Sequence, residues 1–140
     1  MKRLKHGEAK GFTLIELLVA IAIIGILGAV AYPSYIAFVV ESNRTEAQRE
    51  LLRLANLQEQ FFIDSRTYTA DMTALGMPAD PFVTESGEYS IDAVANASTF
   101  TLTATAVSGG VQANKDTDCL TLSISETGAK TASGTDCWEG

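Results

Sequence analysis

The feature that most constrains the fold is a long apolar run, Phe12–Val40, in which Glu16 is the only charged residue. A helix of about 20 apolar residues crosses the roughly 30 Å hydrocarbon core of a bilayer. A helix on the surface of a soluble core has one apolar face and one polar face, whereas this run is apolar on every face. The run therefore predicts a membrane-spanning helix.

The charges around the run predict its orientation. Four basic residues precede it, against the single acidic residue Glu8. These basic residues are Lys2, Arg3, Lys5 and Lys10. By the positive-inside rule this end stays in the cytoplasm and the rest of the chain is exported. The part after residue 11 keeps 6 basic and 16 acidic residues, so we do not expect nucleic acid as a partner held by a general basic surface.

The two cysteines, Cys119 and Cys137, both lie in the exported part of the chain. Disulfides form and persist in such compartments, and a bond closing a loop of this size stabilises a domain by about 3 kcal/mol. The alternative is a metal-binding pair. Two cysteines without a nearby histidine make a poor zinc site, so we expect a disulfide.

A second stretch of helix is predicted after Pro33, as far as about Asp64. Its apolar residues recur mostly at helical intervals and form one stripe. They are Ala47, Leu51, Leu54, Ala55, Phe61 and Phe62. The charged residues lie on other faces, where i,i+3 spacing predicts weak Glu46–Arg49 and Glu50–Arg53 pairs on a solvated surface. The alternative is that some of these charges bridge two subunits.

The rest of the chain alternates between polar and apolar residues, which is typical of strands with one buried face. After turn signals at Gly76, Pro78 and Pro81, the predicted strands are Glu88–Val94, Thr99–Val107 and Cys119–Ser125. Gly109-Gly110 and Thr127-Gly128 mark turns between strands. Three or four antiparallel strands on the apolar stripe of the helix predict an α+β fold.

Residues 1–11 form a short basic leader that ends in glycine. Ala29-Val30-Ala31 imitates an ordinary signal-peptidase site, but the apolar run continues past it to Val40. The sequence Gly11-Phe12-Thr13-Leu14-Ile15-Glu16, followed by the apolar helix, resembles the class III signal of type IV prepilins and type II secretion pseudopilins. The resemblance implies cleavage between Gly11 and Phe12 by prepilin peptidase and N-methylation of Phe12 by the same enzyme. It implies no cofactor for this chain.

The exported part also resembles a known family, the PilE-like group of type IV minor pilins. The matching pieces are Arg66-Thr67-Tyr68-Thr69, Gly87-Glu88-Tyr89, Phe100–Ala106, Asp118–Leu122, Gly128-Ala129-Lys130 and Cys137-Trp138. The resemblance implies the type IV pilin fold, a long N-terminal helix packed on a small antiparallel sheet with a disulfide-closed C-terminal loop. We expect a leader (1–11), a transmembrane and filament-core half of the helix (12–40) and a periplasmic globular domain (41–140).

The implied function is that of a structural pilus subunit, most like a minor pilin, that supports pilus biogenesis, adhesion and twitching motility. The implied partners are other pilin subunits, prepilin peptidase and the inner-membrane assembly platform. The subunit would lie in the inner membrane before assembly and in an extracellular pilus afterwards.

Four residues of the apolar run have expected roles in assembly. We expect Glu16 to attract the Phe12 amine of a neighbouring subunit, although the same groups can also pair within one chain. Gly25, Gly28 and Pro33 weaken the helix in one stretch. A simple kink is one interpretation, because membrane helices tolerate proline. In related filaments this stretch unwinds, which implies a melting segment here.

The sequence offers little for catalysis. His6 is the only histidine and lies in the leader, so the exported part has no histidine for general-base or metal chemistry. Asp116, Asp118 and Asp136 are candidate calcium ligands, but their spacing matches no calcium-binding loop and favours a solvated acidic turn.

Two alternatives to a pilin are open at this stage. One is a type II secretion pseudopilin, against which the cysteine pair counts because many pseudopilins lack it. The other is a single-pass membrane protein with a periplasmic ligand-binding domain.

Overall fold

The computed structural model describes residues 11–138, and the leader before Gly11 lies outside them. The long helix α1 is followed by a short 3-10 helix and a β-meander that a second helix, α2, interrupts. The elements in chain order are α1 (Leu14–Ser65), the 3-10 helix (Met72–Leu75), β1 (Phe82–Val83), β2 (Tyr89–Ala95), β3 (Phe100–Ala106), α2 (Val111–Lys115), β4 (Thr121–Ser125) and β5 (Lys130–Ala132).

The first helix runs without a break through Pro33 and ends at Ser65, one residue beyond its predicted end. Its buried residues recur at intervals of three and four, as one stripe of a helix requires. They are Val40, Asn43, Ala47, Leu51, Leu54 and Gln58. The predicted stripe is confirmed at Ala47, Leu51 and Leu54, and it also includes two buried amides that hydropathy does not reveal.

The sheet has the strand order β1-β2-β3-β4-β5, and all neighbours are antiparallel. The three strands predicted from alternation are confirmed as β2, β3 and β4, with small changes at their ends. The predicted number of strands, three or four, is too small, because the sheet also has two short edge strands, β1 and β5. Two or three residues are too few to show an alternating pattern, so hydropathy cannot reveal them.

The core lies between the buried stripe of α1 and one face of the sheet. The register aligns Ala93 with Leu102 and Leu102 with Ile124, so the inward side chains form rows across three strands. Leu51, Leu54, Leu102 and Leu122 are fully buried. The opposite face of these strands carries mainly serine and threonine, which explains the alternation read from the sequence.

The chain divides into two compact units, the first ending at Ile36 and the second beginning at Ala37. In the first unit the side chains of α1 are exposed almost throughout. The second unit contains the sheet and the hydrophobic core.

Candidate assembly surface

The first half of α1 presents an exposed apolar surface, as far as the described residues 11–138 show. Phe12 is 82% exposed and Ile24 is 68% exposed. Over its most apolar 18-residue window the helix has a mean hydropathy of 2.7, and none of that window is buried. Among the described residues α1 is the one helix long and apolar enough to cross a membrane. Such a surface requires lipid or neighbouring helices in place of water.

Glu16 is held at the start of this helix by Thr13. The backbone N–H of Thr13 donates to Glu16 Oε2 at 2.9 Å, and its hydroxyl donates to the same oxygen at 2.8 Å. In return, the backbone N–H of Glu16 donates to Thr13 Oγ1, with an N–O distance of 3.3 Å. This is a capping box, in which the first turn of a helix is closed by a threonine and a glutamate three residues later. Thr13 is not among the residues predicted from the sequence, although the Thr-x-x-Glu spacing is the signal that predicts a capping box.

The capping box places the Glu16 carboxylate beside an apolar groove of about 390 Å³. The groove is formed by Glu16 together with Phe12, Ile15, Val19, Ala20 and Ile23. A carboxylate inside an apolar region costs a few kcal/mol unless it is hydrogen-bonded or paired. Thr13 supplies two hydrogen bonds from within the chain, and the remaining acceptor positions of the carboxylate are open to a partner.

Gly25 and Gly28 lie in regular helix, and packing within the chain does not require them. A Cβ added at either position would meet nothing within 4 Å. Pro33 also lies inside α1, and next to it the Ser34 hydroxyl donates to the Val30 carbonyl at 3.1 Å. The single subunit therefore keeps this stretch helical through both glycines and Pro33.

The predicted disulfide between Cys119 and Cys137 is present, with an S–S distance of 2.05 Å. Both cysteines are buried. Gln48 on α1 donates its side-chain N–H to the Cys137 carbonyl at 2.7 Å. The Tyr89 hydroxyl donates to the Cys119 carbonyl at 3.0 Å, and burial raises the pKa of Tyr89 to about 12. The C-terminal loop is thus tied to both the helix and the sheet.

The candidate calcium ligand Asp116 is instead paired with Arg44. The guanidinium of Arg44 makes hydrogen bonds of 2.7 Å and 3.1 Å to the two carboxylate oxygens. Gln112 donates a third, at 2.6 Å. Residues 11–138 contain no group of three or more His, Cys, Asp or Glu side chains arranged for a metal.

The charged faces of α1 agree with the sequence analysis in part. The predicted Glu50–Arg53 pair is confirmed, with a distance of 2.6 Å. The predicted Glu46–Arg49 pair is wrong, since the ion pairs of the described chain are Arg44–Asp116 and Arg53–Glu50. Glu46 instead accepts a hydrogen bond from the Ser86 N–H at 3.2 Å. A contact between residues 40 positions apart leaves no local signal in the sequence.

Comparison with known proteins identifies the family. Residues 33–123, more than half of the chain, match the family model described as "Type IV minor pilin ComP, DNA uptake sequence receptor". Residues 8–32 match the prokaryotic N-terminal methylation motif. The chain belongs to the type IV pilin family. It is a structural subunit of a type IV pilus, processed at its N-terminal methylation motif.

Individual relatives agree with this assignment. The pilin is 38% identical over 109 residues to the fimbrial protein EcpC of Eikenella corrodens, which covers 74% of the pilin and 69% of EcpC. It is 42% identical over 67 residues to the type IV major pilin protein PilA of Myxococcus xanthus, covering 48% of the pilin and 30% of the relative. With PilA4, the type IV wide pilus major component of Thermus thermophilus, it shares 46% identity over 68 residues, which covers 49% of the pilin and 52% of the relative. The match therefore spans about half or less of two of these three relatives.

Family membership explains the uncovered surface of α1. The apolar helix anchors the pilin in a membrane, and the pilin assembles with other pilin subunits into an extracellular pilus.

Proposed function

We propose that this pilin is a minor subunit, cut by prepilin peptidase between Gly11 and Phe12, methylated on the new Phe12 amine and inserted into a pilus through α1. The observation that carries the proposal is the exposed apolar helix with Glu16 four residues after Phe12. Cleavage at this bond removes the basic leader and creates one cation beside that carboxylate. We propose no catalytic activity and no cofactor for the chain.

The role proposed for Glu16 is to bind the Phe12 amine of a neighbouring subunit. The capping box supports this role, because Thr13 orients the carboxylate and leaves part of it free to accept further hydrogen bonds. A charge pair between packed apolar helices is stronger than the same pair in water. Pairing between subunits therefore favours entry into the filament over the isolated membrane state.

The test is the yield of the Glu16→Ala variant in sheared pili. We expect normal cleavage and at least tenfold less of the variant than of wild-type pilin in the pili. Glu16→Asp is the control, because it keeps the negative charge but shortens the side chain by one methylene group. An alanine variant that assembles at the wild-type level would refute the assembly role.

The minor-pilin assignment is supported by the description of the family model that covers residues 33–123. Two of the relatives described above are major components, so copy number is the deciding quantity. We expect mass spectrometry of sheared pili to find this chain at a small fraction of the most abundant pilin. We expect its deletion to reduce surface pili, adhesion and twitching motility. Equal abundance with the filament's main subunit would contradict the minor role.

The stretch from Gly25 to Pro33 is proposed to unwind when the subunit leaves the membrane. Glycine lowers helix propensity by about 1 kcal/mol, and proline removes one backbone hydrogen bond. The open surroundings of both glycines support a role in assembly over one in the subunit core. Continuous helix through this stretch in an assembled pilus would contradict the proposal.

The membrane arrangement proposed for the precursor places the leader in the cytoplasm and the domain from residue 41 onward in the periplasm. The four leader cations support this orientation. The inner-membrane pilus assembly platform is the proposed partner that extracts the cleaved subunit. In a Gly11→Val background, which should keep the leader attached, a membrane-impermeant thiol label should react with Thr117→Cys in intact spheroplasts, whereas it should not react with Lys5→Cys.

Nucleic acid is not proposed as a partner, although the matched family model is described as a DNA uptake sequence receptor. The part after residue 11 carries 16 acidic and 6 basic residues. Arg44 and Arg53 are already in ion pairs, and Lys130 lies 5.0 Å from the centre of the Trp138 ring. Gel-shift assays at low salt should show no retention of duplex DNA. Sequence-selective retention would refute this view.

A further inference from the structure

Two tyrosines, Tyr32 and Tyr35, interrupt the apolar surface of α1 near the end of the first compact unit. Their side chains are 68% and 65% exposed. They are three positions apart in regular helix, so they are neighbours on one side of α1. Each side chain has an apolar ring and a polar hydroxyl at its tip. Such a side chain is best placed where an apolar medium meets a wet one.

The position of the tyrosines along α1 matches the thickness of a bilayer. Tyr32 follows Leu14, the first residue of the helix, by 18 positions. At a rise of about 1.5 Å per residue this distance is about 27 Å, and Tyr35 lies about 32 Å from the same start. The hydrocarbon core of a bilayer is about 30 Å thick. When the start of α1 lies at one boundary of the hydrocarbon, the tyrosines therefore lie at the other.

Hydropathy alone does not fix this second boundary. After Tyr35 the sequence is again apolar as far as Val40, and the first charged residue is Glu41. Composition therefore allows the helix to leave the hydrocarbon anywhere between Ala31 and Val40. Tyrosine and tryptophan are enriched at membrane–water interfaces, where their rings lie at the level of the lipid headgroups. The two tyrosines thus favour the earlier exit.

Pro33, between the two tyrosines, favours the same boundary. Proline has no N–H and cannot donate the helical hydrogen bond to the carbonyl of Ala29. A backbone carbonyl without a donor is costly in hydrocarbon, whereas water reaches it at the headgroup level. The next carbonyl, that of Val30, accepts a hydrogen bond from the Ser34 hydroxyl at 3.1 Å. One boundary therefore suits both the tyrosine hydroxyls and the proline.

We propose that Tyr32 and Tyr35 bind the headgroup layer of the periplasmic leaflet and set the depth of α1 in the inner membrane before assembly. The inference rests on the membrane arrangement proposed above for the precursor. The rings pack on the upper acyl chains, and the hydroxyls donate to ester and phosphate oxygens of the lipid. The hydrocarbon span then ends near Ala31, and the Gly11–Phe12 bond is held at the cytoplasmic boundary.

Thiol labelling of the precursor locates the boundary. In a Gly11→Val background, Val30→Cys and Ala37→Cys are compared in intact spheroplasts with a membrane-impermeant label. Both positions are exposed in the described chain, so lipid and not protein decides access. The native cysteines are joined in a disulfide and do not react while the domain is folded. We expect Ala37→Cys to react at least tenfold faster than Val30→Cys.

Variants of the Ala37→Cys precursor test whether the tyrosines set this boundary. Tyr32→Leu with Tyr35→Leu makes the apolar run continuous to Val40, so the helix sinks or tilts and labelling should become at least fivefold slower. Tyr32→Trp with Tyr35→Trp keeps an interfacial ring with a polar N–H and should label at the wild-type rate. Ile23→Leu with Ile26→Leu, at the same spacing within the span, is the control and should have no effect.

The partner is tested in vesicles of phosphatidylethanolamine and phosphatidylglycerol. A lipid anchor predicts that the labelling ratio of the two positions stays the same when the protein is diluted in lipid. A ratio that falls on dilution would assign the boundary to contacts between subunits and reject the lipid anchor.

Three further outcomes would overturn the inference. They are equal labelling of Val30→Cys and Ala37→Cys, wild-type labelling of the leucine variant, and slow labelling of the tryptophan variant. If Thr117→Cys reacts in the same spheroplasts, these outcomes reject the tyrosine anchor alone. If Thr117→Cys does not react, the proposed membrane arrangement itself is rejected.

Discussion

At the scale of single residues, Glu16 has two roles in one side chain. It closes the first turn of α1 with Thr13, and it presents a carboxylate beside an apolar groove. The capping box reduces the cost of keeping this charge in an apolar segment, because two donors from the same chain replace part of its hydration. Thr13 is therefore a positioning residue for Glu16.

A Thr13→Ala variant tests this relation. Loss of an N-cap side chain typically costs about 1 kcal/mol, so we expect a roughly fivefold lower yield in sheared pili and a smaller defect than that of Glu16→Ala. Thr13→Ser keeps the hydroxyl and should assemble normally. If Thr13→Ala assembles as well as the serine variant, the capping box has no role in assembly.

Tyr89 links pH to stability. Burial raises its pKa to about 12 from an ordinary value of 10.0, so between these pH values the unfolded chain loses the phenol proton before the folded chain does. Stability should be constant with respect to this group below pH 10 and should fall as the pH rises towards 12, by on the order of 2 kcal/mol. Urea unfolding of the full-length chain in detergent at pH 8 to 11 measures this decrease.

The control is Tyr89→Phe, which removes the titrating group and the hydrogen bond to Cys119. At pH 8 the variant should have a lower free energy of unfolding than wild type. Between pH 8 and pH 11 its free energy of unfolding should decrease by less than that of wild type. Parallel slopes for the two proteins would show that Tyr89 is not the group responsible.

At the scale of elements, the Arg44–Asp116 pair joins α1 to the end of α2. The side chain of Arg44 is 18% exposed and that of Asp116 is 8% exposed. Removing one partner from a buried pair leaves an uncompensated charge. This contact therefore fixes the segment between β3 and β4 against the helix.

Asp116→Ala should lower the free energy of unfolding by about 3 kcal/mol. Glu50→Ala, which breaks the more exposed Glu50–Arg53 pair, should cost less than about 1 kcal/mol. Trp138 is the only tryptophan, so its fluorescence monitors urea unfolding in both variants. Equal losses for the two variants would contradict a special role for the Arg44–Asp116 pair.

The disulfide acts on the same part of the molecule. It joins residues 18 positions apart, and closing such a loop contributes about 3 kcal/mol in the chain-entropy model. The double variant Cys119→Ser and Cys137→Ser should unfold at correspondingly lower urea. An unchanged midpoint would indicate that Gln48 and Tyr89 hold the C-terminal loop without the bond.

Elements with a repeating pattern were predictable from the sequence, and contacts between distant positions were not. The stripe at Ala47, Leu51 and Leu54 and the alternation in β3 identified the helix and the central strands, because burial on one face imposes a period. The edge strands are too short to carry a period. The pairing of Arg44 with Asp116, 72 positions away, follows from tertiary structure that local sequence does not encode.

At the scale of the whole molecule, the chain combines an uncovered apolar helix with a compact acidic domain. The domain has its own core, whereas most apolar side chains of α1 before Phe38 are exposed in the part of the chain that the structure describes. Exposing this apolar area to water has a large free-energy cost. The subunit that leaves the lipid must therefore pack its helix against neighbouring subunits and cannot remain alone in water. Processing at Gly11–Phe12 is the step proposed to permit this exchange.

Mass spectrometry of the N-terminus of this chain, recovered from sheared pili, tests the central claim most directly. The account predicts a chain that begins at Phe12 and carries one methyl group on its amine. It also predicts that a Gly11→Val variant keeps its leader and stays in the membrane fraction. A pilus-associated chain that retains residues 1–11, or that begins after Ala31, would contradict the account.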